Sequence, residues 1–95
     1  ARQKQLQFTN LQYAILLDME KTIPNAGDLT KDTQELATLL QPYLFKGWQY
    51  QQTAKKAVES TTRRYLRKYI RQNNLPLADL ETLYQKIIDS VKSYA

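Results

Sequence analysis

Apolar side chains recur three and four residues apart along most of this 95-residue chain, and this spacing constrains its fold more than any other feature. On an α-helix, residues at that spacing share one face, which is stabilised by packing against other elements. No segment shows the sustained alternation of apolar and polar residues that predicts a β-strand. The sequence therefore predicts a single all-α domain, a small bundle of four helices around one core.

Two Gly and three Pro residues divide this apolar pattern into segments. We expect a turn at 24–27 (Pro-Asn-Ala-Gly), a break at Gly47 and a further interruption at 73–76 (Asn-Asn-Leu-Pro). The four predicted helices span about residues 9–23, 29–45, 52–72 and 76–94.

The first predicted helix begins after Thr9, whose hydroxyl can accept a hydrogen bond from the free N–H groups of the first turn. Leu6 and Phe8 either extend this helix upstream or pack against its first turn. Pro24 ends the helix, because the residue before a proline disfavours helical geometry. The expected apolar stripe comprises Leu11, Ala14, Ile15, Leu16, Leu17, Met19 and Ile23.

Three residues compete to cap the second predicted helix: Asp28, Thr30 and Asp32. Asp32 has a glutamate three positions later, which is the capping-box spacing. Pro42 lies inside the apolar pattern, so we expect a kink or a break there, followed by a short turn through Phe45. The expected buried face comprises Leu36, Leu39, Leu40, Tyr43 and Leu44.

The third predicted helix is the longest, and the fourth follows it after a short loop. Gly47 is expected in the left-handed conformation that ends the second helix, and Asn73 and Asn74 are expected to do the same for the third. The fourth helix is expected to begin near Pro76. The expected apolar side of the third helix comprises Ala54, Val58, Thr61, Tyr65 and Tyr69. The expected core stripe of the fourth comprises Leu80, Leu83, Tyr84, Ile87, Ile88 and Val91.

Positive charge is concentrated in the third predicted helix. The whole chain has 14 Lys and Arg against 9 Asp and Glu, a net charge of +5, and residues 46–72 hold eight of the basic residues with only Glu59 as an acid. Six of the eight form one surface, the basic face: Lys56, Arg63, Arg64, Arg67, Lys68 and Arg71. This face either contacts nucleic-acid phosphates, docks on an acidic protein surface, or is a solvated surface with intramolecular pairing.

The chain lacks the residues that most catalytic sites require. It has no His and no Cys, which excludes a Ser-His-Asp triad, a cysteine nucleophile and the commonest metal ligands. Two glycines cannot build a G-x-x-x-x-G-K-S/T or G-x-G-x-x-G phosphate-binding loop. No stretch approaches the ~20 apolar residues that cross a bilayer. We therefore expect a non-catalytic domain without cofactor, metal or membrane span, and the lack of Cys favours a cytoplasmic setting.

Two further features concern context and aromatic residues. The N-terminal Ala-Arg-Gln-Lys-Gln has neither an initiator Met nor an apolar signal-type core, so we expect a fragment, C-terminal in origin, of a larger protein. Trp48 either fills the end of the bundle or anchors a partner. The tyrosines of the last two helices either pack in the core, which we expect, or stack on the bases of a nucleic acid.

Three short segments carry a resemblance to a known family. Residues 43–48 read Tyr-Leu-Phe-Lys-Gly-Trp, residues 54–59 read Ala-Lys-Lys-Ala-Val-Glu, and residues 63–67 read Arg-Arg-Tyr-Leu-Arg. Together they resemble the helical C-terminal region of the motor (R) subunits of type I restriction–modification enzymes. In that family an F-x-G-W-like element precedes a helix of K-x-x-V-E-x-x-x-R-R-x-L-R character, and a final helix closes the chain. The resemblance covers residues 43–95.

The resemblance implies an assembly role: docking the DNA-translocating endonuclease subunit onto its methyltransferase core. The expected partners are the methyltransferase and specificity subunits, with DNA held nearby. ATP and Mg are expected only in the rest of such a parent, an ATP-dependent type I site-specific deoxyribonuclease. Trp48 and residues 55–59 would be structural markers, and the assembly surface would include Arg63, Arg64 and Arg67. The alternative, from the residues alone, is a nucleic-acid-binding helical module that uses the basic face.

Overall fold

A computed structural model describes residues 1–24 and 26–95 of the chain. These residues form five α-helices and two 3-10 turns, and no β-strand occurs among them. The helices are α1 (Arg2–Leu6), α2 (Asn10–Thr22), α3 (Thr30–Leu40), α4 (Gln52–Gln72) and α5 (Ala78–Tyr94), and the 3-10 turns are Gln41–Tyr43 and Trp48–Tyr50. The expectation of a small all-α bundle is confirmed, with α2 to α5 as its four longer helices.

The core joins these four helices into one packed unit. Helix α5 packs against both α2 and α4, and α3 packs against the same two helices. The largest fully buried apolar side chains come from every one of them: Ile15, Leu16, Met19, Leu36, Leu40, Val58, Leu66, Leu83, Ile87 and Val91. Burying a side chain of this size stabilises the fold by about 1.5–3 kcal/mol. The outer face of α4 is therefore held in place by the core behind it.

The start of α2 agrees with the sequence prediction. The Thr9 hydroxyl accepts a hydrogen bond from the backbone N–H of Gln12 (3.1 Å), and the Gln12 side chain accepts one from the N–H of Thr9 (2.9 Å). This pair is a capping box, which satisfies two free donors at the helix start. Gln7 has a left-handed backbone (φ 58°), so Leu6 belongs to the separate helix α1, and Phe8 is buried in the core.

Helix α3 begins at Thr30, close to its predicted start, but differs from its prediction on its buried face. Of the three candidate caps, Asp28 accepts hydrogen bonds from the N–H and the hydroxyl of Thr30 (2.9 and 2.8 Å), whereas Asp32 lies inside the helix. The buried residues of α3 are Thr33, Leu36, Ala37 and Leu40. Leu39 lies about 110° from the centre of that face. It is 48% exposed, and its expected burial was wrong.

The chain leaves α-helical geometry at the proline, as expected. Helix α3 ends at Leu40, and Pro42 lies in the 3-10 turn that follows. Gly47 has the expected left-handed backbone (φ 83°). It leads into the second 3-10 turn and does not directly end the second helix, because residues 41–46 already separate it from α3. Two further residues expected in the core are half-buried, Tyr43 and Leu44.

Helices α4 and α5 follow the prediction closely. Helix α4 has the predicted bounds, and Asn74 adopts the left-handed conformation (φ 53°) just beyond it, whereas Asn73 does not. Helix α5 begins at Ala78, two residues after Pro76. The buried residues of α4 are Ala54, Val58, Thr62, Leu66, Tyr69 and Ile70, and those of α5 are Leu80, Leu83, Ile87, Ile88 and Val91. Thr61, Tyr65 and Tyr84 are half-buried.

The turn predicted at 24–27 is only partly observed. Asn25 lies outside the described residues. Gly27 has a left-handed backbone (φ 80°), the conformation that glycine adopts most easily. The chain then reaches Asp28 and the start of α3.

Candidate binding surface on helix α4

The basic face follows from how α4 packs. One side of the helix is buried against α3 and α5, so the opposite side is turned to solvent. Five members of the basic face are exposed there: Lys56, Arg64, Arg67, Lys68 and Arg71. At a rise of 1.5 Å per residue, they extend over about 22 Å of the helix. The phase predicted from the sequence is therefore observed for these five residues.

Arg63 is the sixth member of the basic face and has a different environment. Its guanidinium pairs with the carboxylate of Glu81 on α5 and lies 3.9 Å from the ring centroid of Tyr84. The hydrogen bond from Arg63 to Glu81 is the main cause that raises the pKa of Arg63 above its usual value. Arg63 is half-buried at the edge between the two helices. It therefore connects α4 to α5, as the intramolecular-pairing interpretation expects.

The other five basic residues have no such partner. Within residues 1–24 and 26–95, the ion pairs are Arg2–Glu20 and Arg63–Glu81. None of the five exposed members of the basic face thus forms an ion pair with an acidic side chain among these residues. Unpaired guanidinium groups can still form bidentate hydrogen bonds with carboxylates or phosphates. This group of side chains is available to an external anion.

A groove of about 430 Å³ lies between α3 and α4. Arg64 and Lys68 line it from α4, and the carboxylates of Asp32 and Glu35 line it from α3. In its floor the hydroxyl of Tyr65 donates a hydrogen bond to the backbone carbonyl of Asp32 (3.1 Å). Burial raises the pKa of Tyr65 strongly, and the nearby carboxylates add to the effect, so its hydroxyl is neutral at pH 7. Because the walls have opposite charges, the groove does not select an ion of one sign.

Trp48 is a core residue and not part of the exposed surface. Only 3% of it is exposed, and it packs in the same apolar cluster as α2, α4 and α5. Of the two interpretations, filling of the bundle matches this position. Its Nε1 has no hydrogen-bond partner among the described residues. A partner anchor at Trp48 would require the core around it to open.

Sequence reasoning missed two exposed aromatic residues near Trp48. Tyr50 is 92% exposed and Phe45 is 50% exposed. One signal was present for Tyr50, which stands in the polar run Gln49-Tyr50-Gln51-Gln52.

Comparisons with known proteins add no relative. No family model matches the chain, and no curated protein or solved structure matches it. The fold and the surface therefore define the class: a small all-α domain with an exposed basic face. The resemblance of three short segments to type I restriction motor subunits stays a prediction from the sequence.

Two properties of the described residues concern metal ions and membranes. In the described part of the chain, no three Asp or Glu side chains gather where they could hold a metal ion. Across residues 1–24 and 26–95, no helix is both long enough and apolar enough to cross a membrane.

Proposed function

We propose that this chain is a non-catalytic docking domain of a type I restriction–modification enzyme, working in the cytoplasm. It attaches the DNA-translocating endonuclease subunit to the methyltransferase and specificity subunits. The observation that carries a binding role is the row of five exposed, unpaired cations on α4. The resemblance of residues 43–95 to the motor-subunit tail gives the direction of the proposal. ATP and Mg belong to other domains of such a parent.

The basic face suits a partner with an acidic surface. Positive and negative patches that face one another accelerate association and select the correct partner. Arginine supplies three of the five exposed cations, and its planar guanidinium binds carboxylates in a bidentate manner. The three are Arg64, Arg67 and Arg71, each reached from the previous one within about one helical turn.

The coding sequence upstream of Ala1 is the first test. A P-loop and helicase motifs there would support the proposal, and their absence would overturn the assignment to a motor subunit. The second test uses the full subunit that contains this chain. Deletion of residues 1–95 should abolish its co-elution with the methyltransferase core in size-exclusion chromatography. An intact complex after this deletion would refute the docking role.

Charge reversal then locates the surface. In the full subunit, the triple variant Arg64→Glu, Arg67→Glu, Arg71→Glu should weaken assembly by about tenfold or more, since like charges would face each other. A matched control reverses three exposed lysines from other parts of the fold: Lys4, Lys21 and Lys31. Equal loss in both variants would show that net charge alone matters, which contradicts a specific surface.

A second candidate function is binding of nucleic acid through the same face. It is favoured by the spacing of the exposed cations along about 22 Å of one helix side, where each can neutralise one phosphate. The logarithm of the binding constant should then fall linearly with the logarithm of salt concentration. Each exposed Arg or Lys changed to Gln should reduce that slope by about 0.9 for duplex DNA. No measurable affinity for duplex or single strands at low salt would remove this candidate.

A further inference from the structure

The second 3-10 turn presents aromatic side chains to solvent. Tyr50 is almost fully exposed, and Phe45, just before the turn, is half-exposed. Aromatic side chains of this size contribute most to binding and stability when their faces are covered. Contiguous exposed apolar patches mark interaction sites, whereas single exposed apolar residues are common on protein surfaces, so the surroundings of the two rings decide the interpretation.

The turn that carries these residues is firmly held. Three backbone hydrogen bonds of 2.9–3.0 Å close it between residues 45 and 51. Trp48 fixes it to the core, and the Gln49 side chain donates a hydrogen bond to the backbone carbonyl of Lys92 on α5 (3.1 Å). Because the backbone of the turn is already ordered, a ligand that stacks on Tyr50 would have to fix only the side-chain torsions of Tyr50 within the protein. Pre-organisation of this kind lowers the entropic cost of binding.

Lysine residues stand close to the turn along the chain and at its contact with α5. Lys46 directly follows Phe45 and is exposed, and Lys92, whose carbonyl contacts the turn, is exposed as well. Lys56, the first member of the basic face, lies about one turn into the helix that begins two residues after Tyr50. No Asp or Glu occurs anywhere in residues 36–58. Along this part of the chain the aromatic residues therefore stand next to lysines and not next to acids, and on α5 the acid nearest in sequence to Lys92 is Asp89.

This combination distinguishes one class of ligand. Exposed aromatic residues occur at protein–protein interfaces as well, but lysine is depleted there, so the exposed lysines beside the turn favour a different class of ligand. Aromatic residues beside a positively charged track are typical of single-strand binding, in which bases stack on the rings and cations follow the phosphates. Bases in a duplex already stack on one another and offer no free face to the turn.

We infer that Tyr50 and Phe45 form a stacking platform for the bases of a single-stranded nucleic acid, whose phosphates lie along Lys46, Lys92 and the start of the basic face. The inference rests on the second candidate function, binding of nucleic acid by that face, and adds the form of the nucleic acid and the residues that contact its bases. The platform is separate from Arg67 and Arg71, which lie near the other end of α4.

The test measures binding of the 95-residue chain to two probes by fluorescence anisotropy at low salt. One probe is a fluorescein-labelled oligothymidylate of about 20 nucleotides, and the other is a labelled duplex of equal length. Tyr50→Ala should weaken oligothymidylate binding roughly 5- to 150-fold, the range for loss of one stacked base, and change duplex binding by less than about twofold. Tyr50→Phe keeps the ring and should bind the oligothymidylate like the unaltered chain.

Two controls separate stacking from loss of structure. Leu77→Ala removes another exposed apolar side chain, at the opposite end of α4, and should leave both affinities unchanged. Emission of the buried Trp48 reports whether each variant keeps its core. Oligothymidylate binding that is unaffected by Tyr50→Ala, or a duplex loss as large as the single-strand loss, would overturn the platform.

The outcomes also distinguish failure of the stacking platform from failure of nucleic-acid binding by the basic face. If changing the exposed cations to Gln lowers the salt slope for duplex DNA while Tyr50→Ala has no effect on either probe, the basic face binds nucleic acid and the platform is wrong. If neither probe binds at low salt, both the second candidate function and the platform are wrong.

Discussion

Thr62 offers a direct test of how the core of this bundle is stabilised. Its side chain is fully buried on α4, and its hydroxyl has no hydrogen-bond partner among the described residues. A buried polar group without a partner lowers the free energy of unfolding by about 1–3 kcal/mol. Thr62→Val keeps the branched shape, removes the hydroxyl and adds a buried methyl group worth about 0.8 kcal/mol. Together the two effects should make the variant more stable by about 2–4 kcal/mol.

For a domain of this size, that gain corresponds to a rise in Tm of about 10–20 °C. The assay is urea unfolding at pH 7, followed by Trp48 fluorescence and by far-ultraviolet circular dichroism. The midpoint should rise while the dependence on urea concentration keeps its slope, because the surface exposed on unfolding does not change.

Thr33→Val is the matched control. Thr33 is also fully buried, but its hydroxyl lies 3.7 Å from the sulfur of Met19, to which it donates a weak hydrogen bond. Its removal should therefore stabilise the fold less than the change at Thr62. A lower free energy of unfolding for Thr62→Val would refute the reasoning, as would a gain no larger than that at Thr33.

Three other predictions concern stability, each measured by urea unfolding. Burial raises the pKa of Asp18 above its ordinary 3.8. The folded state therefore holds that proton more tightly than the unfolded chain, and this contribution to stability is complete below pH 3.8 and is lost as the pH rises through the raised pKa. Asp18→Asn should remove that decline, and an identical pH profile would contradict the assignment. Gly47→Ala should lower the free energy of unfolding by about 1–2 kcal/mol. The cause is the left-handed backbone alone, since no atom lies within 4 Å of the added Cβ. Gly47→Asn should lower the free energy of unfolding by less, and an equal decrease in both variants would argue against backbone strain. Leu40→Ala should cost about 2–5 kcal/mol and Leu39→Ala less than about 1 kcal/mol, and the reverse order would contradict the observed orientation of α3.

The sequence was sufficient to predict α4 because several signals agree there. Its apolar and basic residues keep opposite phases over 21 residues, with Gly47 upstream and Asn74 downstream as left-handed positions. Helix α3 lacked this agreement. Thr33 counts as polar in any sequence pattern, yet it is fully buried, and this moves the buried face away from Leu39. The phase of a short helix depends on such single residues.

The surface was predictable only where it depends on one helix. Exposure of five basic residues follows from the phase of α4 alone. The pairing of Arg63 with Glu81 joins two helices whose relative packing no local pattern reveals. The directions of the Trp48 and Tyr50 side chains could not be predicted either, because no local pattern determines them. Both stand in one short 3-10 turn, where one side chain enters the core and the other points to solvent, and helical periodicity does not distinguish them.

The separation of charge in this fold makes the molecule an electric dipole. Outside residues 46–72 the chain has six basic and eight acidic residues, so its positive pole lies on one side. At physiological ionic strength the Debye length is about 8 Å, whereas α4 is about 30 Å long. An approaching anion therefore senses a part of the helix and not the net charge of the whole chain. The electrostatic torque that orients the domain towards an anion therefore acts only within about 8 Å, one Debye length, of contact. Reversing the charge of two adjacent cations should then slow association more than reversing two distant ones.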